Sequence, residues 1–327
     1  MKELIENFPN QVSDAIKLFS DQKIPSLPDH INQILICGLG GSGIGGTIAA
    51  EIGLSRSEIP IFVCKDYSIP LWVGKQTLVI ISSYSGNTEE TLEALKSCLD
   101  RKSFVICITS GGQIEEISRA NNIPMIIIPG GMPPRACLGY SLTQIFGIMD
   151  RYRMAPGLLN ELSDAITPIK KEISFIRNEA ESIGRSIAFS IPVLYTSAGY
   201  EGIAIRMRQQ LNENAKMLCW HHTVPEMNHN ELVGWVEKSP RVSAIFMRNS
   251  DEYYRTSKRM EICKEIIHQY AGKTIEIWSK GQNPVERTLF WIHLGDWISW
   301  YASVERNQDA MNILVIEKLK DQLSKLQ

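Results

Sequence analysis

A glycine-rich segment follows the first predicted strand and has the residue types that bind an anion. Residues 38–46 read Gly-Leu-Gly-Gly-Ser-Gly-Ile-Gly-Gly, with Gly41 and Ser42 near the centre. Backbone N–H groups can approach a phosphate closely at such glycines, and the helix that follows adds its positive end. The segment also contains GxGxxG twice. A Rossmann-type dinucleotide site, with Asp66 as the ribose-binding acid, and glycines that serve tight packing alone are therefore alternatives.

A second segment adds hydroxyl groups at the end of the third predicted strand. Residues 82–91 read Ser-Ser-Tyr-Ser-Gly-Asn-Thr-Glu-Glu-Thr and place Ser83, Ser85 and Thr88 on the turn into a helix. Each hydroxyl can donate one hydrogen bond, and the N–H groups of the first helical turn donate more. The two segments together predict a neutral phosphate cage. The alternative is that Ser85 or Thr88 is a simple N-cap.

Alternating strands and helices are expected to position these segments. In the first half, short apolar runs rich in Ile and Val predict buried strands at residues 33–37, 59–64, 77–82, 104–109 and 125–128. In the second half, the predicted strands are residues 192–196, 217–220, 242–247 and 274–278. Helical patterns separate most of these runs, and such alternation is typical of a parallel sheet that is covered on both faces.

The chain therefore divides into two similar α/β units. Pro156-Gly157 is the best boundary signal. We expect a first domain over residues 1–154 with the phosphate-binding loops and a second over residues 155–327. A helix is predicted at residues 226–235. An amphipathic tail helix is predicted at residues 311–327, with its apolar face docked on the protein.

Composition limits the function classes. The 327 residues are 44% hydrophobic and 21% charged, which excludes disorder, and the net charge of −2 argues against a sequence-independent nucleic-acid binder. The first ten residues contain no apolar run, so no signal peptide is expected. The apolar stretch 289–304 contains His293 and Asp296 and is short for a bilayer, which predicts a buried helix and no membrane partner. The seven cysteines include no CxxC pair and predict a reduced, cytoplasmic protein.

Four segments, in order, carry a resemblance to a known family. The strand–SxSGxT–helix pattern is similar to the sugar isomerase (SIS) domain, and residues 83–91 resemble its form in the bifunctional phosphoglucose/phosphomannose isomerase family. Residues 129–136 (PGGMPPRA), 210–216 (QLNENAK) and 225–231 (PEMNHNE) resemble three further signatures of that family. The resemblance implies two tandem SIS domains, each a mostly parallel sheet flanked by helices in a flavodoxin-like three-layer fold, and a homodimer.

The resemblance also implies roles for individual residues. Glu213 is the expected base, which moves a proton between C1 and C2 of the sugar through a cis-enediolate. The C-terminal end of a helix dipole favours proton uptake by this carboxylate. His229 is expected to open the sugar ring in the active site of the partner subunit. Arg135 is expected to stabilise the enediolate. Lys320, with Lys318 as a nearly equal candidate, is expected to reach the site from the tail helix.

A metal site is the alternative at the fourth motif. His221, His222, Glu226 and His229 have ligand chemistry that suits zinc. Pro225 is expected to begin a new helix, so His222 and Glu226 would not share a helical face. We therefore expect no metal and no cofactor.

The predicted activity is the interconversion of glucose 6-phosphate, fructose 6-phosphate and, by the resemblance, mannose 6-phosphate. The phosphorylated hexose is the expected partner. The sequence departs from the family near its end, where Asp309-Ala310 replaces Asp-Pro and no threonine follows Thr288. The resembled family uses a late threonine to accommodate both C2 epimers, so its absence here bears on the mannose activity and not on the glucose activity. A non-catalytic SIS regulator that binds a phosphosugar and an NAD-dependent Rossmann enzyme are the alternative functions.

Overall fold

The first half of the chain forms a parallel sheet with helices on both faces. The structure is a computed structural model that describes residues 1–325. Its first-half elements are α1 (Lys2–Glu6), α2 (Phe8–Ser20), β1 (Gln33–Cys37), α3 (Gly40–Gly53), β2 (Ile61–Cys64), β3 (Thr77–Ser83), α4 (Glu89–Asp100), β4 (Phe104–Thr109), α5 (Gly112–Ala120), β5 (Met125–Ile127) and α6 (Leu138–Arg151). The five strands lie in the order β2-β1-β3-β4-β5. All of their pairings are parallel.

Alternation along each strand explains the two covered faces. Ile34 and Ile36 of β1 belong to the main core, whereas Leu35 and Cys37 belong to a separate core. The separate core also contains residues of α4 and α5. Because successive side chains of a strand point to opposite faces, an apolar run without polar interruption is what a doubly covered strand requires. The predicted flavodoxin-like arrangement is confirmed.

The second half repeats this plan with one strand fewer. Its elements are α7 (Leu158–Ile187), β6 (Ile191–Ser197), α8 (Glu201–Ala215), β7 (Trp220–Val224), β8 (Ser239–Arg248), α9 (Tyr254–His268), β9 (Ala271–Trp278), α10 (Pro284–Glu305) and α11 (Leu314–Leu323). The four strands lie in the order β7-β6-β8-β9, and all pairings are parallel. The boundary expected between residues 154 and 155 falls in the turn between α6 and α7.

The two halves share one core. The main apolar cluster includes residues of β1, α3 and α6 from the first half and of α7, α8 and α10 from the second. The predicted apolar helix at residues 289–304 is part of α10, with Trp291 and Trp297 fully buried. Within residues 1–325, no helix combines the length and apolar character needed to cross a membrane.

Helices α3 and α8 run antiparallel where the halves meet. Each follows a parallel strand, so each begins at the carboxyl edge of its own sheet and returns to the amino edge. Near the end of α3, both carboxylate oxygens of Glu51 accept a hydrogen bond from the backbone N–H of Gly202, at 2.9 and 3.0 Å. Gly202 lies at the start of α8. Burial raises the pKa of Glu51 to about 7, although these N–H groups favour the charged form.

Two predictions near the fourth motif are wrong. The strand predicted at 217–220 starts at Trp220, because Lys216 ends α8 in a left-handed conformation and the N–H of Met217 donates back to the carbonyl of Leu211. The helix predicted at 226–235 is instead two 3₁₀ turns, Glu226–His229 and Glu231–Gly234. Asn230 separates them, because its side chain accepts the N–H of Glu231 in competition with a continuous helix.

The tail helix forms, but its predicted docking is wrong for the single chain. Helix α11 spans Leu314–Leu323 and has no buried residue. Its apolar side chains, including Val315 and Leu319, are exposed. The last two residues of the predicted helix, Leu326 and Gln327, lie outside the described residues.

Candidate active site

The glycine-rich loop lies against the segment that carries Arg135. A side-chain carbon placed on Gly41 would lie 3.0 Å from the carbonyl oxygen of Pro134 and 3.1 Å from the Cα of Arg135, so a larger residue would fit only if this backbone shifted. The hydroxyl of Ser42 accepts a hydrogen bond from the backbone N–H of Tyr84 at 2.9 Å. The two predicted phosphate-binding segments are therefore joined directly, and the Ser42 hydroxyl proton can still be donated.

The hydroxyl-rich turn brings its three predicted side chains to the start of α4. The Ser83 hydroxyl donates to the Thr88 hydroxyl at 3.1 Å, and the N–H of Asn87 donates to the Ser85 hydroxyl at 3.3 Å. Thr88 occupies the N-cap position of α4 but makes no capping hydrogen bond with its side chain. Thr88 is thus the N-cap residue by position, as the alternative predicts, but its side chain leaves the N–H groups of the first turn without a cap.

Arg135 and Glu213 meet from opposite halves of the chain. Arg135 lies in the 3₁₀ turn Pro134–Ala136, and its Nη1 is 3.4 Å from Oε2 of Glu213 at the end of α8. The Arg135 side chain is 2% exposed, and that of Glu213 is 25% exposed. Burial lowers the pKa of Arg135, while the charge of Glu213 opposes the shift. The site thus combines a buried guanidinium with a carboxylate that solvent can reach.

Further hydrogen bonds fix the orientation of Arg135. Its Nε donates to Oδ1 of Asn214 at 2.9 Å, and its Nη2 donates to the carbonyl of Ala310 at 2.6 Å. Nδ2 of Asn214 in turn donates to the Ser299 hydroxyl at 2.9 Å. Asp309-Ala310, where the sequence departs from the family pattern, therefore contributes a backbone oxygen. A backbone carbonyl cannot be inferred from residue types.

A buried ion pair also holds the turn that carries Arg135. Arg206 of α8 donates from Nη2 to the backbone carbonyl of Arg135 at 2.6 Å and to Oδ2 of Asp296 at 2.9 Å. Gln210 donates to the other oxygen of Asp296 at 2.7 Å. Burial raises the pKa of Asp296, and the charge of Arg206 opposes that shift. The sequence does not identify this ion pair, although Arg206, Gln210 and Asn214 repeat every four residues on one face of α8 and so indicate a polar stripe there.

The lysine beside Glu213 is Lys216. Its Nζ donates to the backbone carbonyls of Glu213, at 2.5 Å, and of Asp309, at 2.9 Å. Burial lowers the pKa of Lys216, and the charge of Arg135 acts in the same direction. The predicted Lys320 and its alternative Lys318 lie on the exposed helix α11. Within residues 1–325, no hydrogen bond or ion pair joins either lysine to Arg135 or Glu213.

His229 lies far from Glu213 in the same chain. Strands β6 and β7 end together, with Ser197 paired to Val224, and the turn that contains His229 follows this carboxyl edge. Helix α8 also starts at this edge and has 15 residues, so its end carries Glu213 to the opposite edge. At about 1.5 Å per residue, the two positions are separated by roughly 18 Å along α8. His229 is exposed.

The alternative zinc cluster does not assemble. His221 faces Glu201, with Nε2 and Oε1 3.3 Å apart, whereas Nδ1 of His222 lies 2.9 Å from Oε2 of Glu231. The two histidines are neighbours on β7, so their side chains point to opposite faces of the sheet. In the part of the chain that the structure describes, no group of three or more His, Cys, Asp or Glu side chains could hold a metal ion.

The matches to known proteins cover both halves of the chain. The profile of the bacterial phospho-glucose isomerase C-terminal SIS domain matches residues 176–323. The bifunctional phosphoglucose/phosphomannose isomerase of Caldicellulosiruptor bescii is 31% identical over 100% of this chain and 99% of that protein. The enzyme of the same name from Thermoplasma acidophilum is 35% identical over 90% of each chain.

A solved structure shows that the fold is shared more widely. The C-terminal domain of glucosamine-fructose-6-phosphate aminotransferase from Francisella tularensis superposes with a TM-score of 0.76 at 15% identity, and the match covers 95% of this chain and 97% of that chain. This likeness concerns the fold alone. The near full-length sequence matches show more than the fold: the chain belongs to the bifunctional phosphoglucose/phosphomannose isomerase family.

Proposed function

We propose that the chain is an aldose–ketose isomerase that interconverts glucose 6-phosphate, fructose 6-phosphate and mannose 6-phosphate. The observation that supports this assignment is the contact of Arg135 with Glu213 beside the glycine-rich loop. Glu213 takes a proton from C2 of the aldose and returns it to C1, while the hydroxyl proton on O2 moves to O1, and the product is the ketose. Arg135 stabilises the negative oxygen of the cis-enediolate between the two steps. This chemistry requires no metal and no cofactor.

The phosphate of the sugar is assigned to the cage between α3 and α4. Ser42, Ser83, Ser85 and Thr88 offer hydroxyl groups, and Gly41 leaves the backbone accessible. The starts of α3 and α4 add N–H groups and the positive ends of two helix dipoles. Gly41 contacts the Arg135 segment, so a sugar held by its phosphate extends toward Glu213.

The active form is proposed to be a homodimer. One chain cannot place its own His229 against its own Glu213, because α8 separates them. His229 is exposed, and apolar side chains near it in the chain are exposed too, with Leu218 at 82% and Val233 at 79%. A second copy would cover this surface and receive His229 in its site. There His229 gives a proton to the ring oxygen and takes one from the C1 hydroxyl.

The experiment is a coupled assay that starts from fructose 6-phosphate. Glucose 6-phosphate and mannose 6-phosphate are followed separately, so that each epimer has its own rate. Formation of either supports the isomerase. Tight binding of fructose 6-phosphate with no turnover would instead support the non-catalytic regulator. All seven cysteines, which lie within the described residues, are free thiols, and we propose that the enzyme works in the reducing cytoplasm.

A further inference from the structure

Glu231 joins the segment that carries His229 to the second sheet. Its Oε1 accepts hydrogen bonds from the hydroxyl of Tyr195 at 2.5 Å and from Nε1 of Trp220 at 3.5 Å. Its Oε2 lies 2.9 Å from Nδ1 of His222. The three partners belong to β6 and β7. One carboxylate thus ties a short irregular segment to two neighbouring strands.

The donors on this carboxylate are themselves held in place. Tyr195 is fully buried in the core on the outer face of the sheet. Its hydroxyl also accepts a hydrogen bond from Nε1 of Trp235 at 3.0 Å. Trp235 follows the second 3₁₀ turn, so the Tyr195 hydroxyl connects both Glu231 and the end of the segment to β6. A carboxylate that accepts charge-assisted or short hydrogen bonds gives a stiff anchor.

His229 lies between two such anchors. Met227, two residues before it, is fully buried among the apolar residues on the same outer face. Glu231 lies two residues after it. The backbone at His229 is therefore fixed on both sides, while its own side chain is exposed. A histidine that must reach another chain's active site needs such a rigid base, because a small misplacement of a reacting group is costly.

We propose that Glu231 is a positioning residue for the reaction, which acts by holding His229 in the orientation that the partner subunit's site requires. The inference rests on the proposed function, since it gives His229 a role on the substrate. It assigns His222 and Tyr195 to the same task as donors to Glu231, and not to a metal site. Glu231 does not contact the sugar, so its loss should lower kcat more than it raises KM.

The test is a double-variant cycle in the full-length enzyme with fructose 6-phosphate as substrate. Glu231→Gln should lower kcat by about 10- to 100-fold with little change in KM. Glu231→Gln added to His229→Ala should cause no further loss, because the residue acts through His229. Tyr195→Phe, which removes one donor and keeps the ring packed, should show a smaller loss and the same lack of additivity. Glu265→Gln, the same change on the exposed face of α9, is the matched control and should keep the wild-type kcat.

Thermal unfolding and the mass in solution are measured for every variant. Two results would overturn the role of Glu231 and leave the proposed function standing. One is a wild-type kcat in Glu231→Gln, and the other is a double variant whose loss of kcat equals the product of the two single losses. Recovery of full kcat at protein concentrations that drive association would also overturn this role, since Glu231 would then act on dimer formation. An inactive wild-type chain, or a fully active His229→Ala, would contradict the proposed function and this inference together.

Discussion

Glu213 and His229 occupy opposite edges of the second sheet, with most of helix α8 between them. They are 16 positions apart in the sequence. The helix carries the first to the amino edge, and β7 returns the second to the carboxyl edge. Two groups that act on one sugar from these positions must come from different chains.

Mixed dimers test this directly. Glu213→Gln and His229→Ala homodimers should each be nearly inactive. After random exchange of equal amounts, half of the dimers are mixed and each has one intact site of two, so about a quarter of the maximal activity should return. Exchange is verified by mass spectrometry. If mixing restores nothing although exchange is complete, His229 serves its own chain.

Replacement of the base should abolish proton transfer but not binding. Glu213→Gln keeps the shape of the side chain and removes the proton acceptor. We expect kcat to fall by at least about 100-fold, and deuterium exchange at C2 of the substrate to stop. Glu305→Gln makes the same change at the end of α10 and should have wild-type kcat. A Glu213→Gln enzyme that keeps more than a tenth of wild-type kcat would show that another group is the base.

The phosphate cage should affect KM. Ser85→Ala removes a hydroxyl that meets the phosphate in both the ground state and the transition state, so KM should rise more than kcat falls. A hydrogen bond to a charged group at this exposed position predicts a rise of about 10-fold. Ser97→Ala on α4 is the control. An unchanged KM in a folded Ser85→Ala enzyme would place the phosphate elsewhere.

Stability should depend on pH through Glu51. The pKa of the Glu51 carboxyl is about 7 in the folded protein and 4.5 in the unfolded chain, so the folded protein binds this proton more tightly than the unfolded chain does. The stabilisation that comes from proton binding by Glu51 is complete below pH 4.5 and is lost as the pH rises through 7. Glu51→Gln cannot ionise. It should therefore unfold at about the wild-type temperature at pH 5 and at a higher temperature at pH 8. Calorimetry measures the difference in unfolding temperature between Glu51→Gln and the wild type. If this difference shrinks as the pH rises, Glu51 does not destabilise the protein by ionising.

Chelation should leave the enzyme active. The proton transfers assigned to Glu213 and His229 need no Lewis acid. Exhaustive treatment with EDTA should therefore leave kcat unchanged, in the same coupled assay with a chelator-free control. Loss of activity on chelation, with recovery on adding zinc, would assign the histidines around the fourth motif to a metal.

The sequence predicts the strands where apolar runs are continuous and the turns where glycine or proline interrupts them. It fails where a local hydrogen bond overrides the apolar pattern. Residues 217–219 are apolar enough for a strand, but the backbone there closes the end of α8. Asn230 divides a predicted helix through a single side-chain hydrogen bond.

At the site, the resemblance of residues 129–136 and 210–216 to the family signatures indicated Arg135 and Glu213, whereas residue type alone favours an ordinary solvated side chain for Glu213. The carbonyl of Ala310 reaches Arg135 because the two halves pack together, and no local pattern encodes that packing. The ion pair of Arg206 with Asp296 joins α8 to α10 within the second half, and the four-residue spacing on α8 indicates only the Arg206 side of it.

The contact of Glu51 with Gly202 has a consequence for stoichiometry. Both halves repeat one topology, so each presents a helix start at its carboxyl edge that suits an anion. In the second half, that position at α8 is taken by a carboxylate from the first half. We therefore expect a single phosphosugar site per chain, so titration should saturate at one sugar phosphate for each polypeptide rather than two.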